Sequence, residues 1–151
     1  MLGFSKKILF AVEAVVDIAY HSGSQPVQSK EITRRQGIPK RYLEQTLQEL
    51  VRTKLLNGTR GPNGGYSLAR ERRRIFVGEI VRVIHDMGNS KELLGQDIGS
   101  DLNEKVIKPF WKDIEKEIME NLYNISIDEL CDRARQNGVI SEGSHNLDFS
   151  I

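Results

Sequence analysis

Apolar residues recur at helical spacing from the start of the chain. Ile8, Leu9, Val12, Val15, Val16 and Ala19 share one side of a 3.6-residue helix, with Lys6, Glu13 and Asp17 opposite, which predicts a core-facing helix. "HSGSQPVQ" breaks the pattern with Gly23 and Pro26. Ser29 is then placed to cap a short helix "KEITRRQ" that carries Glu31 in its first turn and stops at Gly37. Pro39 suits the first position of the next helix, where a missing N–H costs nothing. Along "KRYLEQTLQELVRTK" the core stripe is Leu43, Leu47, Leu50 and Val51. Arg41, Gln45, Gln48 and Arg52 fall on the opposite face, with Glu44 at its edge. Two strand-like segments, 55–60 and 66–70, flank the turn "GPNGG", a hairpin signal.

Helical spacing returns after the hairpin with Val77, Ile80, Val81 and Ile84. A loop of glycines and polar residues follows over 88–103, and then a long helix with Ile107, Phe110, Trp111, Ile114, Ile118 and Leu122 on one stripe. Pro109 near its start predicts an irregular first turn. That stripe is more than one small domain covers, so a second copy of the chain is the expected partner. In "SIDELCDRARQ", Cys131 shares a helical side with Ile127, Leu130 and Ala134, as a buried structural thiol would. The fold class is therefore mainly α. A winged helix-turn-helix with a two-stranded β wing spans 1–76, a helical linker and dimerisation region spans 77–136, and a flexible tail spans 137–151, unless Leu147, Phe149 and Ile151 pair as a strand.

A helix-turn-helix followed at once by a hairpin gives the polar face of the second helix a use. Arg and Gln have bidentate geometry for guanine and adenine edges, although such a face taken alone is more often merely solvated. At the wing, Gly61, Gly64 and Gly65 let the backbone approach a phosphate chain, and Arg60 supplies the charge that narrow minor grooves attract. A phosphate-loop reading fails because no Lys-Ser/Thr follows Gly65 and a strand, not a helix, begins there.

Charge sharpens the picture. Through Arg74 there are 14 Lys and Arg against 6 Asp and Glu, and the totals of 22 and 21 leave 8 against 15 for the rest. A basic first half suits a polyanion, and an acidic second half has another task. Only Cys131 is present, so no intramolecular disulfide forms, which fits the cytoplasm. Glu13 and Asp17 interrupt the opening apolar run, against a signal peptide, and nothing approaches a membrane-spanning stretch. His21, His85 and His145 lack metal-ligand spacing, and no nucleophile–base pairing points to an enzyme.

"YLEQTLQELVRTKLLNGTRGPNGGYSLAR" closely resembles the signature segment of the Rrf-type (IscR/NsrR/CymR-like) bacterial transcription regulators. The similarity extends to "AVEAVVDIA", "VGEIVRVI" and "FWKDIEKEIMENLYNISIDEL", leaving only the tail after about residue 137 outside. The resemblance implies a homodimer that binds double-stranded DNA at a partly palindromic operator and represses transcription. It also implies that Glu44 and Gln45 match the family's recognition-helix pair and that Arg60 matches the wing arginine that enters the minor groove. Arg41 stands where the family often carries a small polar residue, which leaves base preference open. Iron–sulfur members carry three cysteines in the loop corresponding to 88–103, and a ligand histidine near Lys108. This chain has none of these, so no cofactor is expected.

On this reading Arg41, Gln45 and Gln48 read bases, Arg60 reads minor-groove shape, and Lys40, Arg52 and Arg70 position the phosphate backbone. Whether a small-molecule or protein effector acts on the regulator stays open. The rival reading is a winged-helix interaction module whose acidic half docks a partner enzyme. Salt separates the two, since binding through several phosphate contacts weakens steeply as salt rises and an apolar protein interface hardly responds.

Overall fold

A computed structural model describes residues 5–89 and 99–143. Among the described residues six α-helices form around one apolar core: α1 (Lys6–His21), α2 (Ser29–Gln36), α3 (Lys40–Arg52), α4 (Val77–Asn89), α5 (Lys108–Tyr123) and α6 (Ile127–Gln136). Strands β1 (Leu56–Thr59) and β2 (Gly65–Leu68) form an antiparallel hairpin between α3 and α4, in the register Leu56 to Leu68 and Thr59 to Gly65. Helix α1 runs through the centre, packed against α2, α3, α4, α6 and β2.

The stripe that α1 buries is rotated from the one its spacing predicts. Ala11, Ala14, Val15 and Ile18 are fully buried, whereas Leu9 is 58% exposed and Val12 and Val16 only half-buried. Small alanines let neighbouring helices approach closely, so the core selects their side of the helix. Asp17, placed on the solvent side by periodicity, is 2% exposed. Its carboxylate accepts two hydrogen bonds from the Arg35 guanidinium, at 2.9 and 2.8 Å, and one from the Gln36 amide at 2.6 Å. Satisfied in this way, a charge can stay in the core.

Helix α2 begins one residue earlier than its capping pattern predicts. Gln28 occupies the cap without a side-chain capping bond, and Ser29 is the first helical residue. Gly37 closes α2 in the left-handed conformation, φ 67°, with its N–H bonded to the Thr33 carbonyl at 2.9 Å. Pro39 is the cap of α3 rather than its first residue. Leu43, Leu47 and Leu50 then lock α3 onto the core, and Val51 is half-buried.

Two backbone bridges tie the wing and the last helix to the body. Val27 exchanges hydrogen bonds with Tyr66 at 2.8 and 2.7 Å, which fixes β2 to the chain just before α2. Phe76 bridges Ser126, with Val77 N–H bonded to Ile125 O and Ile127 N–H to Ile75 O, each at 2.8 Å. The run Arg72–Arg74 is a 3-10 turn, and Arg72 pairs with Asp128 of α6 at 2.6 Å. Ser126 caps α6 by accepting the Glu129 N–H at 3.1 Å. A π-helical turn, Asn103–Ile107, leads into α5, so the entry near Pro109 is irregular as predicted.

The tail differs from expectation. Residues 137–143 are not loose: they fold back along α1 and reach α2. The rest of the tail, including Leu147, Phe149 and Ile151, lies outside the described residues.

Candidate nucleic-acid interface

Burying Leu43, Leu47 and Leu50 turns the other side of α3 outward, so Lys40, Arg41, Gln45, Gln48 and Arg52 are exposed and Glu44 is half-exposed. The wing rises beside this face. Between them lies an open cleft of about 870 Å³, whose walls include Lys40, Glu44 and Gln48 from α3 and Arg60, Gly61 and Tyr66 from the wing. Arg41 and Gln45 project from α3 outside the cleft lining. Lys40 and Glu44 lie 4.0 Å apart. Arg52 donates its Nε–H to Glu49 at 3.0 Å, so its charge is shared within the helix.

The wing tip explains its own glycines. A Cβ on Gly64 would sit 2.2 Å from the Thr59 carbonyl oxygen, and one on Gly65 would sit 2.5 Å from the Val27 carbonyl oxygen. Both glycines are therefore required inside the molecule. Gly64 closes the turn and is buried, and Gly65 admits the Val27 bridge. Both also line the cleft between α3 and the wing. Gly61, φ 107° and with open space around it, is the tip glycine free to approach a ligand. Arg60 is exposed beside it.

Arg70 does not join this surface. Its guanidinium bonds to Glu79 at 2.8 Å and to the Arg74 carbonyl at 3.1 Å, which places it at the joint between wing and α4. Sequence reasoning missed two cleft residues from the start of α2, Gln28 and Lys30. Gln28 donates to the Pro62 carbonyl at 3.3 Å, holding the wing tip toward α2, and Lys30 is exposed. A lysine in the first turn of the helix that precedes a recognition helix was the available signal.

Helix α5 carries no buried residue. Ile114, Ile118 and Leu122 are half-buried, with Leu122 packed against the core, whereas Ile107, Phe110 and Trp111 are 40%, 56% and 48% exposed. Leu102 and Val106, not singled out from the sequence, extend this uncovered apolar surface. No helix among the described residues is long and apolar enough to cross a membrane.

A recognition helix, a wing and a helix with an uncovered apolar end thus occur in one chain. The model of the family Rrf2, described as "Iron-dependent Transcriptional regulator", matches residues 4–133. The chain belongs to the Rrf2 family. Among Rrf2 relatives, the HTH-type transcriptional regulator IscR of Xenorhabdus nematophila is 35% identical over 121 residues, 80% of this chain and 74% of that one. IscR of Sodalis glossinidius is 36% identical over 121 residues, covering 80% and 73%. The solved structure of T. potens IscR superposes with a TM-score of 0.71 at 35% identity, covering 93% of each chain. CymR of B. subtilis shares the fold, with a TM-score of 0.68 at 24% identity over 88% of this chain and 98% of that one. This Rrf2 protein is a DNA-binding transcription regulator, and the reading as an enzyme-docking module is not favoured.

The family description raises iron, and the donor set here does not fit a cluster. Such clusters are held by several thiolates, whereas this chain has one cysteine. Cys131 is fully buried, and that burial pushes its thiol above the ordinary range despite the opposing pull of Arg72. Among the described residues no group of three or more His, Cys, Asp or Glu could hold a metal ion.

Proposed function

We propose that this Rrf2 regulator acts in the cytoplasm as a homodimer that represses transcription from a partly palindromic operator, without an iron–sulfur cluster. One observation carries the reading: an unobstructed polar recognition face and a charged wing tip border the same cleft. Arg41, Gln45 and Gln48 would read base edges in the major groove, and Arg60 would enter the adjacent minor groove. Lys40 and Arg52 would contact phosphates, joined by Lys30. The uncovered end of α5, around Phe110 and Trp111, supports pairing with a second copy. Two-fold symmetry would then place two α3 helices about one turn of DNA apart. The cluster is left out because a single buried thiol is not its donor set.

The test is selection of fragmented bacterial genomic DNA on the purified protein at near-physiological salt, followed by sequencing. Enrichment of a two-fold-related motif is the expected result, and its affinity should fall steeply with added salt. A folded protein that retains no preferred sequence would overturn the operator reading.

A further inference from the structure

The family match ends at residue 133, yet the chain beyond it returns to the DNA-reading unit. Gly138, φ 80°, ends α6 in the left-handed conformation, with its N–H bonded to Arg135 O at 3.2 Å, and the chain turns back along α1. The Tyr20 hydroxyl donates to the Val139 carbonyl, and the Ser141 hydroxyl donates to the Tyr20 carbonyl at 2.6 Å. The Glu142 N–H donates to Nδ1 of His21 at 3.1 Å. Gly143 is buried so closely that a Cβ there would lie 2.5 Å from the Ser22 carbonyl oxygen.

The Glu142 carboxylate crosses to α2. It accepts from Arg34 Nη2 at 2.8 Å and from Arg35 Nη1 at 2.7 Å. Arg35 uses its remaining edge on buried Asp17, so one guanidinium joins α1, α2 and the returning segment. Arg34, Glu31 and Glu142 extend the network at the surface. The two arginines, Arg34 foremost, hold the Glu142 carboxyl below the usual carboxylate range.

Helix α2 has little apolar packing, and its polar ties run from Arg35 and Gln36 to Asp17 and from Arg34 and Arg35 to Glu142. Its eight residues bury a single side chain, Ile32. One apolar anchor leaves rotation about the helix axis weakly determined, and directional charge-assisted bonds supply the missing constraint. Helix α2 in turn sets the stage for α3 through the Gly37 turn, and its leading residues contact the wing through Val27 and Gln28.

We propose that residues 137–143 are a strap that positions α2, with Glu142 as its positioning residue, so that the C-terminal segment tunes operator recognition. The proposal rests on the reading of α3 as the operator-contacting helix, but its first readout does not. In Glu142→Gln, amide hydrogen exchange across α2 should speed up by roughly threefold to tenfold, while α3 and α4 stay protected. Operator affinity should fall by a similar factor at fixed salt, and affinity for random DNA should stay unchanged, because no phosphate contact has been removed. Arg34→Gln, at an exposed position, should shift both readouts in the same direction, and Glu142→Asp should restore part of each.

Unchanged exchange in α2 in both variants would overturn the strap whatever the DNA results. Equal losses on operator and random DNA would also overturn it, since they would mean a general loss of structure. A wild-type protein with no sequence preference would sink the operator reading alone, and the exchange data would still decide the strap.

Discussion

Replacing Arg35 by methionine isolates its buried charge pair with Asp17. Asp17 has a fully buried side chain, and that of Arg35 is 10% exposed, so their two hydrogen bonds form away from water. Methionine keeps most of the side-chain volume but leaves the Asp17 carboxylate with the Gln36 amide as its one close donor. Removing one partner of a buried pair typically costs about 3–5 kcal/mol, because the remaining charge is stranded. In a chain of this size each kcal/mol corresponds to about 2–4 °C of melting temperature, so a fall of roughly 6–20 °C is expected. Release of Glu142 adds little, since its side chain is 44% exposed. The assay is thermal unfolding followed by far-ultraviolet circular dichroism, at one protein concentration because subunit association also moves the midpoint. The double variant Asp17→Leu with Arg35→Met strands no charge and should recover most of the loss. A fall below about 3 °C in the single variant, or a double variant no more stable than the single, would refute the account of the buried pair.

Other perturbations test separate parts of the structure. Gly65→Ala should break the Val27–Tyr66 bridge, since its Cβ would lie 2.5 Å from the Val27 carbonyl; a loss of about 1–3 kcal/mol in denaturant unfolding is expected, and wild-type stability would refute the packing role. Arg60→Ala should cost on the order of 1–3 kcal/mol of operator binding in a titration at fixed salt, and an unchanged affinity would remove the wing from recognition. Trp111→Ala should weaken self-association by about 2 kcal/mol or more in sedimentation equilibrium, whereas an unaltered dimer would place the interface elsewhere. Stability should also fall in mild acid through His21. Burial lowers its basicity against the opposing pull of Asp17, with smaller influences from the charges of Arg35, Glu142 and Arg34. Its folded-state value lies below the unfolded one, so the contribution is complete above about pH 6.5 and declines as pH drops toward the folded value. Melting temperatures that stay flat from about pH 7.5 to about pH 5.5 would contradict this.

Local physics made much of the regulator legible from residue order alone. The spacing of Leu43, Leu47 and Leu50 determines which face of α3 turns outward, because apolar burial selects one side of a helix. The turn around Pro62 and Gly64 determines a hairpin, and the apolar stripe from Ile107 to Leu122 marks a helix with more to cover than its own body offers. Tertiary structure decided what depends on distant partners. Asp17 is inside because Arg35, 18 residues away, meets it there, and Glu142 is held because Arg34 and Arg35, more than 100 residues earlier, bind it. Gly64 and Gly65 serve the wing's own packing, a fact visible only once Thr59 and Val27 are placed beside them. Periodicity records how a residue relates to its neighbours along one element. The free energy of burying a charge, or of crowding two backbones, is set by whatever the rest of the chain brings to the same point.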